Sequence, residues 1–460
     1  MDTPIHDFIE KYVSENTVRL HMPGHKGRIW GHDITEIDGA DFLFDPDGII
    51  AKSEENAGRL FNAHTLYSTE GSSLCIRTML FLIKKRALVK GRRPYIVAGR
   101  NVHSSFMSAA AVLDIDVDFI MQKESEAYES CTVTGDDFEN YLVSLSEELR
   151  DDENAANNGQ RLPDALYVTS PDYLGHMLDI KELAAVCHRY GILLLVDNAH
   201  GAYLKFLEKS CHPMDLGADM CCDSAHKTLP VLTGGAYLHI SKMTDDFFRR
   251  YAKQAMTVFA TTSPSYLILE SLDLCNAYLD NNGDIISTAN KVSELKHKLK
   301  RYGFMLNGEE PLKITIECDD KILSFLIEEK ICPEYHDPKH IVLMFSTENT
   351  EEDYVRTENA FRRISCEKSI RDIGIKSPVQ NCKKEAGTLE KRKPAPIKAM
   401  TFKDALFADS EMVDVEESIG HILAEPLVHC PPCVPPYMCG EIIGDDILKF
   451  RKGKIRIVKQ

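Results

Sequence analysis

Lys227 lies in the stretch CDSAHKTLPVLTGG (222–235), where one of 54 basic residues sits between Ser224, His226 and a run of small and apolar positions. A lysine that only meets solvent needs no such setting. A lysine that must attack a carbonyl carbon as a free amine does, because crowding and desolvation lower its pKa toward the working pH. Asp197 closes the apolar run GILLLVD, and an acid buried there without a partner would be costly. Gly71, Ser72 and Ser73 open an apolar-striped, helix-like run, where backbone N–H groups, hydroxyls and the positive end of the helix suit an anion. These are the requirements of a phosphorylated aldehyde. Its carbonyl takes Lys227 as a Schiff base, its pyridine nitrogen is kept protonated by Asp197, and its phosphate takes Gly71, Ser72 and Ser73, with Ser224 and His226 adding contacts. His103 is placed to cover a ring face.

These residues need elements that bring them together. HTLYST (64–69), PYIVAG (94–99), ALYVTS (165–170) and GILLLVDNAHG (191–201) read as strands, and DIKELAAVCHRYG, with Asp179 at its start and Gly191 past its end, as a capped helix. Strands that are apolar throughout and alternate with helices imply an α/β fold with a mostly parallel sheet covered on both faces. Ligands of such sheets bind beyond the carboxyl ends of the strands, where all the residues above fall. Past residue 285 short strand candidates, LKITIEC and HIVLMFST, are flanked by helix-like runs, which predicts a smaller α+β C-terminal domain. The expected organisation is an N-terminal arm over 1–30, a large domain over 31–284 and a small domain over 285–460. A polar, Lys- and Pro-rich linker is expected at 376–397, and the tail from TFKDALFADSEMVDVEESIGHILAEPL onward is expected to return to helix and then to a proline-rich segment and strands.

A formal net charge of −17 speaks against a nucleic-acid or anionic membrane surface and favours cationic small molecules. No stretch of 18 apolar residues occurs, and the start MDTPIHDFIEKYV carries acids where a signal peptide is basic, so a cytoplasmic protein is expected. Fourteen scattered cysteines read as free thiols. Cys430 and Cys433 in HCPPCVPP have the spacing of a redox pair or half a zinc site, but with no second pair they are expected to be packing residues, and no metal is expected.

Phosphate loop, stacking ring, Asp and Lys in that order resemble the aspartate-aminotransferase-like pyridoxal phosphate enzymes. RLHMPGHKG (19–27), GRNVHSS (99–105), TSPDYLG (169–175), VDNAHGA (196–202), SAHKTLPVLTGGAYL (224–238) and TTSPSYLILESLD (261–273) further resemble the ornithine/lysine/arginine decarboxylase family, in its short form without a wing domain. The resemblance implies pyridoxal 5'-phosphate held as a Schiff base on Lys227, Asp197 on the pyridine nitrogen, His103 stacked on the ring and His200 close to it. It implies phosphate contacts from Ser72, Ser73, Ser224 and His226, and from Thr262 of a neighbouring subunit, hence a homodimer or higher homo-oligomer. Departures from the family pattern are Asp172 where Thr is commoner, Asn198 for Glu, Ser104 for Lys and Cys433 for Gly. The implied reaction is α-decarboxylation of a basic amino acid, arginine first, then lysine or ornithine, to an amine of polyamine biosynthesis. Glu441, in a segment resembling the family's Pro-Gly-Glu, is expected to meet the substrate's cationic end at the mouth of the site. The alternatives are an aminotransferase on the same fold and an inactive regulatory homologue.

Overall fold

The computed structural model describes residues 1–123, 126–151, 162–281, 283–317, 320–366 and 396–459. Its centre is a seven-stranded sheet built from β1 (His64–Ser68), β2 (Tyr95–Gly99), β3 (Asp116–Ile120), β4 (Ala165–Thr169), β5 (Leu193–Asp197), β6 (Met220–Asp223) and β7 (Ala236–Ile240). The order is β1-β7-β6-β5-β4-β2-β3. Strands β6, β5, β4, β2 and β3 run parallel, while β7 is antiparallel to both its neighbours. The mostly parallel α/β sheet expected from the strand pattern is therefore present. Its central strands are largely apolar because both faces are covered: Ala165 and Tyr167 of β4 enter one core, and Leu166 and Val168 enter the other. The predicted capped helix spans Ile180–Arg189, and the Asp179 side chain accepts the Glu182 N–H at 2.9 Å.

The first residues of the expected arm pack against the large domain. Helix Pro4–Ser14 buries Ile5 and Ile9 fully, and the N–H groups of Ile5 and His6 donate to Asp273 on the helix Tyr266–Asp280. Only the following stretch lies on the surface, with Val18, Leu20, Ile29 and Trp30 all exposed.

After the helix Ile285–Arg301 comes an antiparallel sheet of order β10-β11-β9-β8, made of β8 (Leu306–Asn307), β9 (Lys313–Glu317), β10 (Tyr335–His336) and β11 (His340–Met344). The helix Glu351–Cys366 follows. Most of the expected linker, 376–395, lies outside the described residues. The tail is less helical than expected. One short helix, Phe402–Phe407, gives way to β12 (Ser410–Asp414), which pairs antiparallel with β13 (Lys454–Val458). The reason is tertiary: KIRIV offers β12 a ladder partner, and Ile455 and Ile457 join Val415, Leu423 and Tyr437 in a core of their own.

Candidate active site

Strand ends supply the site. Lys227 sits in the single helical turn Ala225–Thr228 that follows β6. It does not point to open solvent: it is partly buried, and burial lowers its pKa against the opposing pull of Asp197. Its Nζ lies 3.0 Å from Nε2 of His200, the residue that ends the DNAH turn after β5. Burial, followed by the neighbouring Lys227 and Lys313, pushes the His200 imidazole well below its usual range, which favours its neutral form.

Asp197, the last residue of β5, is buried and accepts from the Tyr167 hydroxyl at 3.1 Å and the Ala199 N–H at 3.2 Å. Its hydrogen-bond partners include no cation, which leaves this carboxylate able to meet one. His103 caps the helix Ser104–Val112, its Nδ1 accepting the Ser105 N–H at 3.1 Å, and burial lowers its pKa as well. Asp197 and Lys227 are both near enough to act electrostatically on His103, the first raising and the second lowering its pKa.

Close by, the helix Gly71–Val89 begins. Gly71 has φ +67°, where a side chain would be strained, and a Cβ there would stand 3.9 Å from the His226 ring. Ser224 Oγ donates to Ser72 Oγ at 2.9 Å, and Ser105 Oγ to Ser73 Oγ at 2.8 Å. Hydroxyls crowded at a helix N-terminus fit an oxyanion such as phosphate. The residues present therefore fit pyridoxal phosphate at both ends: a hydroxyl cup for its phosphate and an uncompensated buried carboxylate for its ring nitrogen. Thr262 stands apart, exposed on a loop whose Thr261 N–H is held by Glu70 at 2.7 Å.

Residues 28–316 match the family model for the major domain of Orn/Lys/Arg decarboxylases. The chain belongs to that family. The decarboxylase is 27% identical over 491 aligned positions to the arginine decarboxylase of Bacillus subtilis, covering 98% of this chain and 93% of the relative. It is 28% identical over 492 positions to the arginine decarboxylase of Halalkalibacterium halodurans, covering 97% and 92%. In fold it is similar to a lysine decarboxylase of Francisella novicida, with TM-score 0.78 and 16% identity over 99% of this chain and 81% of the other. An alanine–glyoxylate aminotransferase from Nostoc shares the fold more distantly, with TM-score 0.52 and 13% identity over 68% and 86%. Pyridoxal phosphate is the cofactor of this decarboxylase.

Two side chains at the site went unnoticed in the sequence, and both come from the small antiparallel sheet. Lys313 of β9, fully enclosed, places its Nζ 3.4 Å from His200 Nδ1. Glu334, just before β10, is exposed, accepts from the Tyr173 hydroxyl at 2.7 Å and acts electrostatically on both Lys227 and Lys313. Lys313 is one of several polar residues in the run LKITIE, and Glu334 falls in the short stretch CPEYH outside the strand runs, so neither is distinguishable in sequence from an ordinary solvent-facing position.

Glu441 is a correction. The decarboxylase buries it rather than presenting it at the mouth, and its Oε2 lies 3.0 Å from Nη2 of Arg100, which follows β2. The Met438 N–H donates to the same carboxylate at 2.7 Å, and Arg100 also donates to the carbonyls of Pro435 and Pro436. The charge of this acid is already paired with a buried guanidinium, which leaves it poorly placed to neutralise a substrate cation at the mouth.

The family departures have local reasons. Asp172 is spent on His176, whose N–H and Nδ1 lie 2.9 and 2.8 Å from its oxygens. Asn198 donates to Asp223 Oδ1 at 2.7 Å, where a glutamate would oppose a second carboxylate. Asp223 also sits between His212 and His239, at 2.9 and 3.0 Å from their Nε2 atoms, with Cys221 beside them, a set of metal-capable side chains buried together. Its wiring is that of hydrogen bonds. The Met214 N–H donates to His212 Nδ1, so the imidazole carries its proton on Nε2 and turns it to the carboxylate. Burial alone would raise the Asp223 pKa, but the two imidazoles win and hold it well below the usual range.

Proposed function

We propose that this enzyme removes the α-carboxylate of arginine, with lysine or ornithine as lesser substrates, and that it works as a cytoplasmic homodimer supplying polyamine biosynthesis. The observation that carries the reading is the meeting of Lys227, His200 and the buried Asp197 at the strand ends, with the carboxylate of Glu334, which accepts from the Tyr173 hydroxyl, acting electrostatically on Lys227. When bound, pyridoxal phosphate supplies an aldehyde for amine exchange and a ring that accepts the electrons of the broken Cα–carboxylate bond. Lys227 provides the exchanging amine. Asp197 holds a proton at the ring nitrogen and keeps the ring electron-poor. His103 covers one ring face, and Ser72, Ser73, Ser224 and His226 hold the phosphate so that the ring cannot swing. The Lys227 amine, once displaced by the substrate, can take up the proton that the substrate's ammonium gives up and deliver it to Cα after CO2 leaves, while His200, 3.0 Å away, holds that amine in place by a hydrogen bond.

Glu334 gives the reading its basic substrate, because a cationic side chain entering the site needs a carboxylate at its far end. The exposed Thr262 and the apolar stretch containing Val18, Leu20, Ile29 and Trp30 support a second copy closing over the site. Among the described residues eleven cysteines are free thiols, which suits a reducing compartment. The test is an assay of purified protein with arginine, lysine and ornithine, reading both CO2 and amine. Release of both from arginine supports the assignment; a keto acid without CO2 would make it an aminotransferase, and turnover of neutral or acidic amino acids alone would overturn the substrate class.

A further inference from the structure

His200 is gripped from both sides by lysines, and a single imidazole cannot accept from two ammonium groups. Neutral imidazole has one N–H and one lone pair, so each nitrogen's role fixes the other. Lys313 Nζ has three acceptors around it: the Asp172 carbonyl at 3.1 Å, the Tyr173 carbonyl at 3.3 Å and His200 Nδ1 at 3.4 Å. An ammonium has three protons to donate and no lone pair, so this geometry suits Lys313 as the ammonium. Glu310 and Asp172 lie beside it and favour that charge against burial. With Nδ1 accepting, the His200 proton sits on Nε2 and points at the Lys227 Nζ, 3.0 Å away. Only a neutral amine can receive it.

The opposite assignment fails on the same distances. A Lys227 ammonium donating to Nε2 would move the imidazole proton to Nδ1, where it would face the Lys313 ammonium with no acceptor. The remaining charges do not reverse this. Asp197 and Glu334 favour a charged Lys227 but act on it without a hydrogen bond, and His103 and His226 only discourage protonation of His200.

We propose that Lys313 is a positioning residue that acts through the His200 tautomer to hold Lys227 as a free amine, ready to exchange with the cofactor's carbonyl. This rests on the reading of Lys227 as the cofactor-bearing lysine. That reading is checked first: borohydride reduction of the holoenzyme should fix the cofactor on Lys227, and fixation elsewhere would sink that reading on its own. The present proposal is then tested on the full chain stripped of cofactor, by following the acetylation of Lys227 by acetic anhydride against pH with peptide mass spectrometry. Lys313→Met removes the Nδ1 donor, frees the imidazole to accept from a Lys227 ammonium, and should raise the labelling midpoint by about one pH unit, roughly tenfold less amine at a given lower pH. Lys313→Gln restores an N–H donor without the charge and should stay near the wild-type midpoint. An unchanged midpoint in the Met variant would overturn the proposal. So would a shift in the Gln variant of about one unit, which decides the matter even if the Met variant does not fold.

Discussion

The two halves of the site are built on opposite principles. The parallel sheet delivers Asp197, His200 and Lys227 from consecutive strand ends, each within a few residues of where its strand stops. The small antiparallel sheet and the tail reach the same space from across the molecule: Lys313 contacts a histidine 113 positions away, and Arg100 meets Glu441 over 341 positions. On the proposed reading the first half holds the groups that would touch the reacting atoms, and the second would orient, close and recognise. Substitutions should separate the halves by what they damage, kcat in the first and KM or stability in the second.

The largest effect belongs to Lys227→Ala, which should abolish turnover while leaving phosphate contacts for the cofactor; measurable steady-state decarboxylation at the normal rate would place the chemistry elsewhere. Asp197→Asn comes next. Losing the charge that keeps the ring protonated should lower kcat by orders of magnitude, each tenfold corresponding to ~1.4 kcal/mol, and a near-normal kcat would break the distinction between the halves.

On the other side, Arg100→Met strands Glu441 as a buried, unpaired acid and should cost about 3–5 kcal/mol. The thermal midpoint should fall, and the double variant with Glu441→Met should regain most of it; no recovery would mean that the pair is not the tail's anchor. Glu334→Gln should sharpen the contrast further by raising KM for arginine about tenfold, ~1.4 kcal/mol, with kcat little changed, as for an interaction made equally before and during the reaction. Equal losses in both constants would move Glu334 into the chemistry.

The smallest effect is expected from Cys430→Ala with Cys433→Ala. Cys430 is exposed, and Cys433 holds its place with backbone groups, its carbonyl accepting the Ser104 N–H at 2.9 Å. Activity within about twofold of wild type is the expected result, and a larger drop would give the thiols a role.

Sequence made one half legible because parallel strands are short apolar runs whose ends carry the polar residues, so Asp197 and Lys227 stand out against LLLV and the small residues around them. Lys313 and Glu334 do not stand out. Antiparallel strands with one open face show polar residues at every other position, and nothing local tells LKITIE apart from a solvent-facing edge. Glu441 was misjudged for a related reason. Its segment looks like a turn entering a strand, and its partner Arg100 lies in another part of the chain, so burial of the pair is a tertiary fact with no local trace. Helix Pro4–Ser14 falls in the expected N-terminal arm, and nothing local in the sequence announces that Asp273, far along the chain, accepts from its first N–H groups.

The Arg100–Glu441 clasp also imposes a timetable. Chains are made from the amino end at about 5–20 residues per second, and early segments fold first. Arg100 therefore waits on the order of 20–70 s for its carboxylate to be synthesised. Throughout that interval the β2 end of the sheet carries a guanidinium that lacks both its carboxylate and the Pro435 and Pro436 carbonyls, so the surface beside His103 is finished only by the last residues to be made.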